Sequence, residues 1–156
     1  MKELILVKYG EIALKGLNKS AFEDILVKNI RWRMRDMGRI RLRKAQSTIY
    51  LEPEDAEFFD FDEAIDRLTK IFGIASISRA LAVEKSLEAI QREVCGYLEE
   101  ALSAAKTFKV ETRRSDKQFP LKSPEISAEV GGTILSRFPG LKVDVREPGL
   151  VVNVEI

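Results

Sequence analysis

Between Lys28 and Ala45 the sequence reads KNIRWRMRDMGRIRLRKA, which places eight lysine or arginine residues against a single acid, Asp36. Cationic side chains at this density can bind phosphates, and the planar fork of arginine suits bidentate phosphate contacts best. The whole chain is nearly neutral, with 26 basic and 25 acidic residues. The excess is therefore local: residues 1–52 hold 12 bases and 6 acids, whereas residues 53–105 hold 5 and 12. Such asymmetry predicts a face that binds a polyanion.

The first half of this basic stretch belongs to a predicted helix over residues 20–37. The spacing of Ser20 and Glu23 is typical of a capping box, and apolar residues recur behind it at helical intervals up to a terminating glycine, Gly38. One stripe of the helix surface, away from the apolar face, carries three cations at i, i+3 and i+7: Lys28, Arg31 and Arg35. These three side chains are candidate phosphate ligands.

The second half alternates Arg39, Arg41 and Arg43 with Ile40 and Leu42. A period of two predicts a strand with the arginines on one face and the apolar pair on the other. The ordinary interpretation is a solvated charged surface. However, like charges two residues apart on a strand repel each other, and a bound anion relieves that repulsion. We therefore favour polyanion binding for this strand.

The elements around this stretch predict an α+β chain of two domains. Residues 1–80 give the order βαββαβ, with strands at 3–9, 39–45, 47–52 and 74–84 and helices at 20–37 and 62–72, which is the ferredoxin-like arrangement. Residues 81–156 start a new α/β pattern. It consists of a long helix at 86–105, a strand at 107–112, a helix from Ser123 to about Arg137, and two strands joined as a hairpin at Pro148-Gly149. Gly131 and Gly132 lie inside the last helix, where glycine is less favourable than alanine. Their presence predicts that another backbone approaches the helix closely at this point.

A second basic segment follows the strand at 107–112. Exposed amides at the start of the next helix favour an anion, and an interleaved aromatic residue can stack on an unpaired base. A phenylalanine in such a loop can also pack into the hydrophobic core. For the phenylalanine taken alone, we favour packing in the core over stacking on a base. The candidate RNA-binding residues here are Arg113, Arg114, Lys117, Phe119 and Lys122. A third, weaker candidate is the glycine-containing loop before the first helix, with Lys15 and Lys19.

Several classes of chemistry are excluded by composition. The chain has no histidine, so it can form neither a Ser-His-Asp site nor a His-ligated metal site. Neither G-x-x-x-x-G-K-[ST] nor G-x-G-x-x-G occurs, so we predict no catalytic, cofactor or metal site in this chain. The lone cysteine, Cys95, fits the apolar face of a helix as a buried small residue. The six carboxylates between Glu54 and Glu63 are typical of a solvated surface rather than a metal site. No apolar run is long enough to span a membrane.

Three segments together resemble the tRNA 4-thiouridine synthetase (tRNA sulfurtransferase) family: KYGEIALKGLNKSAFE, FGIASISRA and KTFKVETRRSDKQFPLKSPEISAEVGG. The resemblance covers essentially the whole chain in order. It implies an N-terminal ferredoxin-like domain followed by a THUMP domain, which would bind tRNA and recognise its acceptor end so that uridine 8 can be thiolated. Lys15, Asn18 and Lys19 match the family's first motif, and Arg113, Arg114, Lys117 and Phe119 match its THUMP loop.

The resemblance also implies what lies outside this chain. The family's catalytic domain uses ATP through an S-G-G-x-D-S loop, which this sequence lacks, and a cysteine desulfurase supplies the sulfur. We therefore expect the chain to be a piece of a longer protein, ending near the end of its THUMP domain. The family is also linked to thiamine synthesis. A cytoplasmic location is expected, since one cysteine fits a reducing compartment.

Two other functions remain open at this point. THUMP domains also serve RNA methyltransferases and other tRNA-modifying enzymes, so the attached chemistry can differ. Alternatively, the basic face can meet an acidic protein partner, including the Glu54–Glu63 segment of a second copy in a homodimer.

Overall fold

The structure, a computed structural model, describes residues 2–10 and 18–156. The chain forms two compact units, residues 1–82 and 83–156. Each unit has its own sheet and its own hydrophobic core. No helix in the described ranges is both long and apolar enough to cross a bilayer.

The first unit is an antiparallel sheet with two helices. Its elements are β1 (Lys2–Tyr9), α1 (Lys19–Arg33), β2 (Ile40–Ala45), β3 (Thr48–Pro53), a 3-10 turn (Ala56–Phe58), α2 (Phe61–Leu68) and β4 (Ile74–Ala82). The strand order is β2-β3-β1-β4, and every neighbouring pair is antiparallel. The predicted ferredoxin-like arrangement is confirmed.

Alternation along the strands decides which face of this sheet meets the helices. Ile5 and Val7 of β1 pair with Leu51 and Ile49 of β3, and all four are fully buried in the core that the helices cover. On the edge strand β2, Ile40 and Leu42 pack against the same core. Arg41 and Arg43, which alternate with them in β2, therefore face the other side of the sheet, as the period of two predicted.

The start of α1 differs from the predicted capping box. Asn18 is the N-cap, and its side-chain oxygen accepts a hydrogen bond from the Ala21 amide at 2.7 Å. Glu23 instead accepts a hydrogen bond from the Tyr9 hydroxyl, which ties α1 to the end of β1. Burial and this hydrogen bond raise the pKa of Tyr9. The capping-box interpretation is therefore wrong, because the glutamate has a tertiary partner.

The second unit has a parallel sheet of three strands. Its elements are α3 (Leu87–Tyr97), α4 (Glu99–Ala104), β5 (Thr107–Arg113), α5 (Ser123–Arg137), β6 (Lys142–Val143) and β7 (Leu150–Glu155). The order is β6-β5-β7, and both outer strands run parallel to β5. The helix predicted over 86–105 is divided at Leu98, where the backbone leaves helical geometry.

The predicted hairpin at Pro148-Gly149 is wrong, because β6 and β7 lie on opposite sides of β5. The connecting loop is held at the start of β5: the Asp144 amide donates to the Phe108 carbonyl at 3.0 Å, and the Gly149 amide donates to Thr107 Oγ1 at 2.8 Å. A Cβ at Gly149 would lie 3.4 Å from the Thr107 carbonyl oxygen. The hydrogen bonds therefore make this segment a crossing over the start of β5 rather than a hairpin turn.

The two glycines inside α5 do not accommodate another backbone. A Cβ added at Gly131 would meet a Val110 methyl at 3.9 Å, which is ordinary contact, and a Cβ at Gly132 would have no described heavy atom within 4 Å.

We expect Gly132→Ala to stabilise the second unit by about 1 kcal/mol, because alanine has the better helix propensity. Urea unfolding checks this. As a control, Gly38→Ala should destabilise the first unit, because Gly38 has φ +87°. A less stable Gly132→Ala variant would contradict the packing described.

Candidate nucleic-acid interface

The basic loop of the second unit leaves the carboxyl end of β5. Arg113 ends the strand, and Lys117 and Lys122 follow in the loop; all three side chains are exposed. Lys122 is also the N-cap of α5, has no side-chain capping hydrogen bond, and precedes a proline in the first turn. A 15-residue helix therefore directs the positive end of its dipole at this loop. The loop gathers positive charge from side chains and from backbone amides.

Phe119 does not lie on the surface of this loop. It is 8% exposed and belongs to the core cluster of the second unit. A buried ring offers no face to a base, so its assignment as an RNA-stacking residue is wrong and the alternative, packing in the core, is correct. Its backbone carbonyl accepts a hydrogen bond from Arg114 Nη1 at 3.2 Å. Arg114 is half-buried and orients the loop, which leaves less of its guanidinium for a ligand.

The acid inside the loop is neutralised locally. Lys85 Nζ donates to Asp116 Oδ2 at 2.6 Å, and the Gln118 amide donates to Asp116 Oδ1 at 2.9 Å. The ion pair with Lys85, followed by the backbone hydrogen bond, lowers the pKa of Asp116. The carboxylate therefore does not compete for the neighbouring Lys117.

In the first unit, four of the predicted basic residues line one open cleft of about 730 Å³. It lies where the C-terminal end of α1 and the following turn meet the ends of β1 to β4. The charged residues of its wall are Lys2, Glu3, Arg31, Arg35, Arg39, Arg41, Glu52 and Glu54. Residues from the predicted helix and from the predicted strand thus converge, although Arg31 and Arg41 are ten positions apart.

The other predicted cations lie elsewhere. Lys28 and Lys19 are exposed on α1 outside the cleft. The guanidinium of Arg43 lies 4.2 Å from the centre of the Tyr50 ring, and its Nη2 is 3.6 Å from Glu52 Oε1. Arg43 is therefore engaged by its own sheet. Lys15 lies outside the described residues.

Trp32 was missed by the sequence reasoning. Its indole is 64% exposed, the guanidinium of Arg35 lies 3.8 Å from its ring centre, and Arg35 Nη1 donates to its carbonyl at 2.8 Å. The signal was present, since residues three apart meet on a helix surface. The pair joins an exposed aromatic ring to one wall of the cleft.

The lone acid of the basic stretch is paired with a residue from another helix. Arg67 of α2 donates through Nη1 to Asp36 Oδ1 at 2.5 Å and to the Arg33 carbonyl at 2.8 Å, and through Nε to Glu63 Oε1 at 2.9 Å. The hydrogen bond from Arg67 holds the pKa of Asp36 below its ordinary value. Asp36 is therefore engaged mainly by Arg67, with a smaller electrostatic contribution from its neighbour Arg35.

The described residues do not support a nucleophilic cysteine or a metal site. Cys95 is buried, with its Sγ 3.9 Å from the Thr133 carbonyl oxygen, and burial raises the pKa of its thiol. No group of three or more Cys, Asp or Glu side chains among residues 2–10 and 18–156 is arranged to hold a metal ion.

Comparison with known proteins agrees with the two units. Residues 4–78 match the ThiI ferredoxin-like domain, and residues 84–156 match the THUMP domain. The whole chain is 45% identical to a probable tRNA sulfurtransferase of Acetivibrio thermocellus and 44% identical to one of Caldanaerobacter subterraneus; it spans 40% of the length of each.

A solved 4-thiouridine synthetase, in complex with RNA and bound ATP, superposes with a TM-score of 0.82 at 33% identity. The match covers 100% of this chain and 39% of that one. The chain therefore belongs to the tRNA sulfurtransferase family, and it contains the ferredoxin-like and THUMP domains that its sequence motifs predicted.

Proposed function

We propose that this chain is the tRNA-binding part of a tRNA sulfurtransferase. It docks the acceptor end of tRNA for a separate catalytic domain that makes 4-thiouridine at position 8. The relatives carry the name of this activity, and a structural neighbour was solved with RNA. Structured RNA is recognised mainly through its backbone and its unpaired ends, and surfaces that carry exposed arginine and lysine side chains suit that mode of recognition.

The observation that carries the proposal is the presence of cations without ionic partners on both units. Within the described ranges, neither the lining arginines Arg31, Arg39 and Arg41 nor the loop residues Lys117 and Lys122 form an ion pair. Several other exposed cations of the first unit are paired, as Lys44 is with Asp24 at 3.1 Å and Lys70 with Asp66 at 3.2 Å, whereas Lys19, Lys28 and Arg33 form no ion pair in the described ranges. Unpaired cations gathered on two surfaces favour a polyanionic ligand.

The remaining expectations concern the whole protein. We assign no ATP-dependent step to this chain, because its sequence has no phosphate-cradling loop; ATP belongs to the separate catalytic domain. A cysteine desulfurase is the proposed sulfur donor, and a homodimer is the proposed assembly. The proposed setting is the cytoplasm, with a link to thiamine synthesis.

Binding of the 156-residue chain to full-length tRNA, and to tRNA trimmed of its CCA end, tests the proposal across a salt series. With about five phosphate contacts, affinity should fall by roughly two to three orders of magnitude between about 50 and 200 mM salt, taking the slope for duplex DNA as a guide. We expect the intact tRNA to bind more tightly than the trimmed one.

Each result of the salt series has a separate meaning. Equal binding of both RNAs would remove the acceptor end from the proposal. Failure to bind either RNA would reject it, as would an affinity that does not depend on salt.

A further inference from the structure

We propose that the cleft at the C-terminal end of α1 is a binding site for the RNA phosphodiester backbone. In this site Arg31, Arg39 and Arg41 contact phosphates, and the Arg35–Trp32 pair forms a stacking platform beside them. The inference rests on the proposed function and adds the place where the first unit holds the RNA. Neither the family matches nor the names of the relatives assign this cleft a role.

The charge balance of the cleft favours an anion. Five cations and three acids line it, but two of the acids are bound by arginines outside the lining. Arg79 donates to both carboxylate oxygens of Glu3, at 2.5 and 3.1 Å, and Arg43 lies 3.6 Å from Glu52. Among the lining acids only Glu54 has no ionic partner in the described ranges. The excess of positive charge therefore points into the cleft.

The four arginines of the cleft lie close together along the chain. Arg41 lies in the edge strand β2 and Arg39 directly precedes it. Arg31 lies in the last turn of α1 and Arg35 in the turn that follows, because α1 ends at Arg33 and not at the predicted residue 37. Like charges gathered around one cleft repel each other, and among these arginines Arg41 has an acid, Glu52, as its cross-strand partner. The single acid within this segment, Asp36, is held by Arg67. A polyanion bound in the cleft that these four arginines line offsets the repulsion.

The identity of the cations and of the nearby ring favours RNA over an acidic protein segment. Four of the five lining cations are arginines, whose planar forks match phosphate oxygens bidentately. Trp32 is exposed, and its ring is already stacked against Arg35. A stacked guanidinium is preorganised, and an exposed indole can stack on a base or a sugar next to the phosphates.

Trp32 is the only tryptophan of the chain, so its fluorescence reports on this site directly. Unlabelled tRNA is titrated into the 156-residue chain while Trp32 emission is recorded, and a parallel titration follows the anisotropy of labelled tRNA, which detects binding anywhere on the chain. The test variant is Arg39→Gln/Arg41→Gln. The matched control is Lys44→Gln/Lys70→Gln, which removes two exposed cations of the same unit outside the cleft.

We expect tRNA to quench Trp32 along the same curve as the anisotropy. The test variant should lose about tenfold in affinity and lower the salt slope by about two, and the control should change little. Binding by anisotropy without any change in Trp32 emission, together with equal losses in test and control variants, would overturn the cleft and leave tRNA binding intact.

Two further outcomes also reject the site. Absence of binding in both titrations would reject the cleft together with the proposed function. Quenching by a polyglutamate peptide as strong as that by tRNA would assign the cleft to an acidic protein. Circular dichroism of each variant checks that it remains folded.

Discussion

Replacing Phe119 with leucine is expected to leave tRNA affinity unchanged, whereas replacing it with alanine should destabilise the second unit by about 3–5 kcal/mol. The ring is buried in a core with Phe108 and Ile126, both of them fully buried. Leucine keeps most of the buried volume, but alanine leaves a cavity that the surrounding side chains fill only in part. Urea unfolding measures the loss of stability.

The two substitutions separate a core role from a stacking role. If Phe119 stacked on a base, removing the aromatic ring would cost about 1–3 kcal/mol of binding, and the leucine variant would lose affinity by that amount while staying folded. That result would contradict the burial described. The matched control is Leu121→Ala, because Leu121 is only partly buried in the same loop and its truncation should destabilise the unit less.

The second large effect is expected from the basic loop. The triple variant Arg113→Gln/Lys117→Gln/Lys122→Gln should weaken tRNA binding roughly tenfold to a hundredfold at about 0.1 M salt and flatten its salt dependence. The three side chains are exposed between the carboxyl end of β5 and the start of α5, so their replacement removes charge without opening the core. Binding is measured by anisotropy of labelled tRNA.

A control of equal charge exists near the other end of the same strand. Lys106, Lys142 and Arg146 are exposed around the start of β5. Their triple replacement by glutamine changes the net charge by the same amount but leaves the loop intact. Equal losses in the two variants would mean that net charge alone attracts the RNA, and the loop would lose its role as a contact surface.

The order of elements in the first unit could be predicted because its signals are local. Alternation of Ile40 and Leu42 with arginines indicates a strand and its faces without knowledge of the partner strand, and helical spacing of apolar residues does the same for α1. The motifs of the family could likewise be recognised from sequence. The start of α1 could not be predicted as well, because Asn18 and Ser20 are both suitable N-cap residues and lie only two positions apart in the sequence.

Other features depend on partners that are distant in sequence. The chain crosses β5 between β6 and β7, and Asp144 and Gly149 in the crossing segment form hydrogen bonds with the start of β5. The residues that they contact are more than thirty positions away in the sequence. The sequence turn signal at Pro148-Gly149 is compatible with a hairpin and with a crossing alike. The burial of Phe119 has the same origin, because only the assembled core shows that there is room for its ring.

By itself, the sequence determined that this protein has two α+β domains, which family they belong to, and where its positive charge is concentrated, because composition and periodicity are properties of the chain. Only the tertiary structure decided which of those charges can act together. Arg43 is engaged by Tyr50 and Glu52, and Asp36 is engaged by Arg67, whereas Arg31 and Arg41 line the same cleft. Pairing depends on distances of a few ångströms between residues from different elements, and only the folded backbone sets those distances.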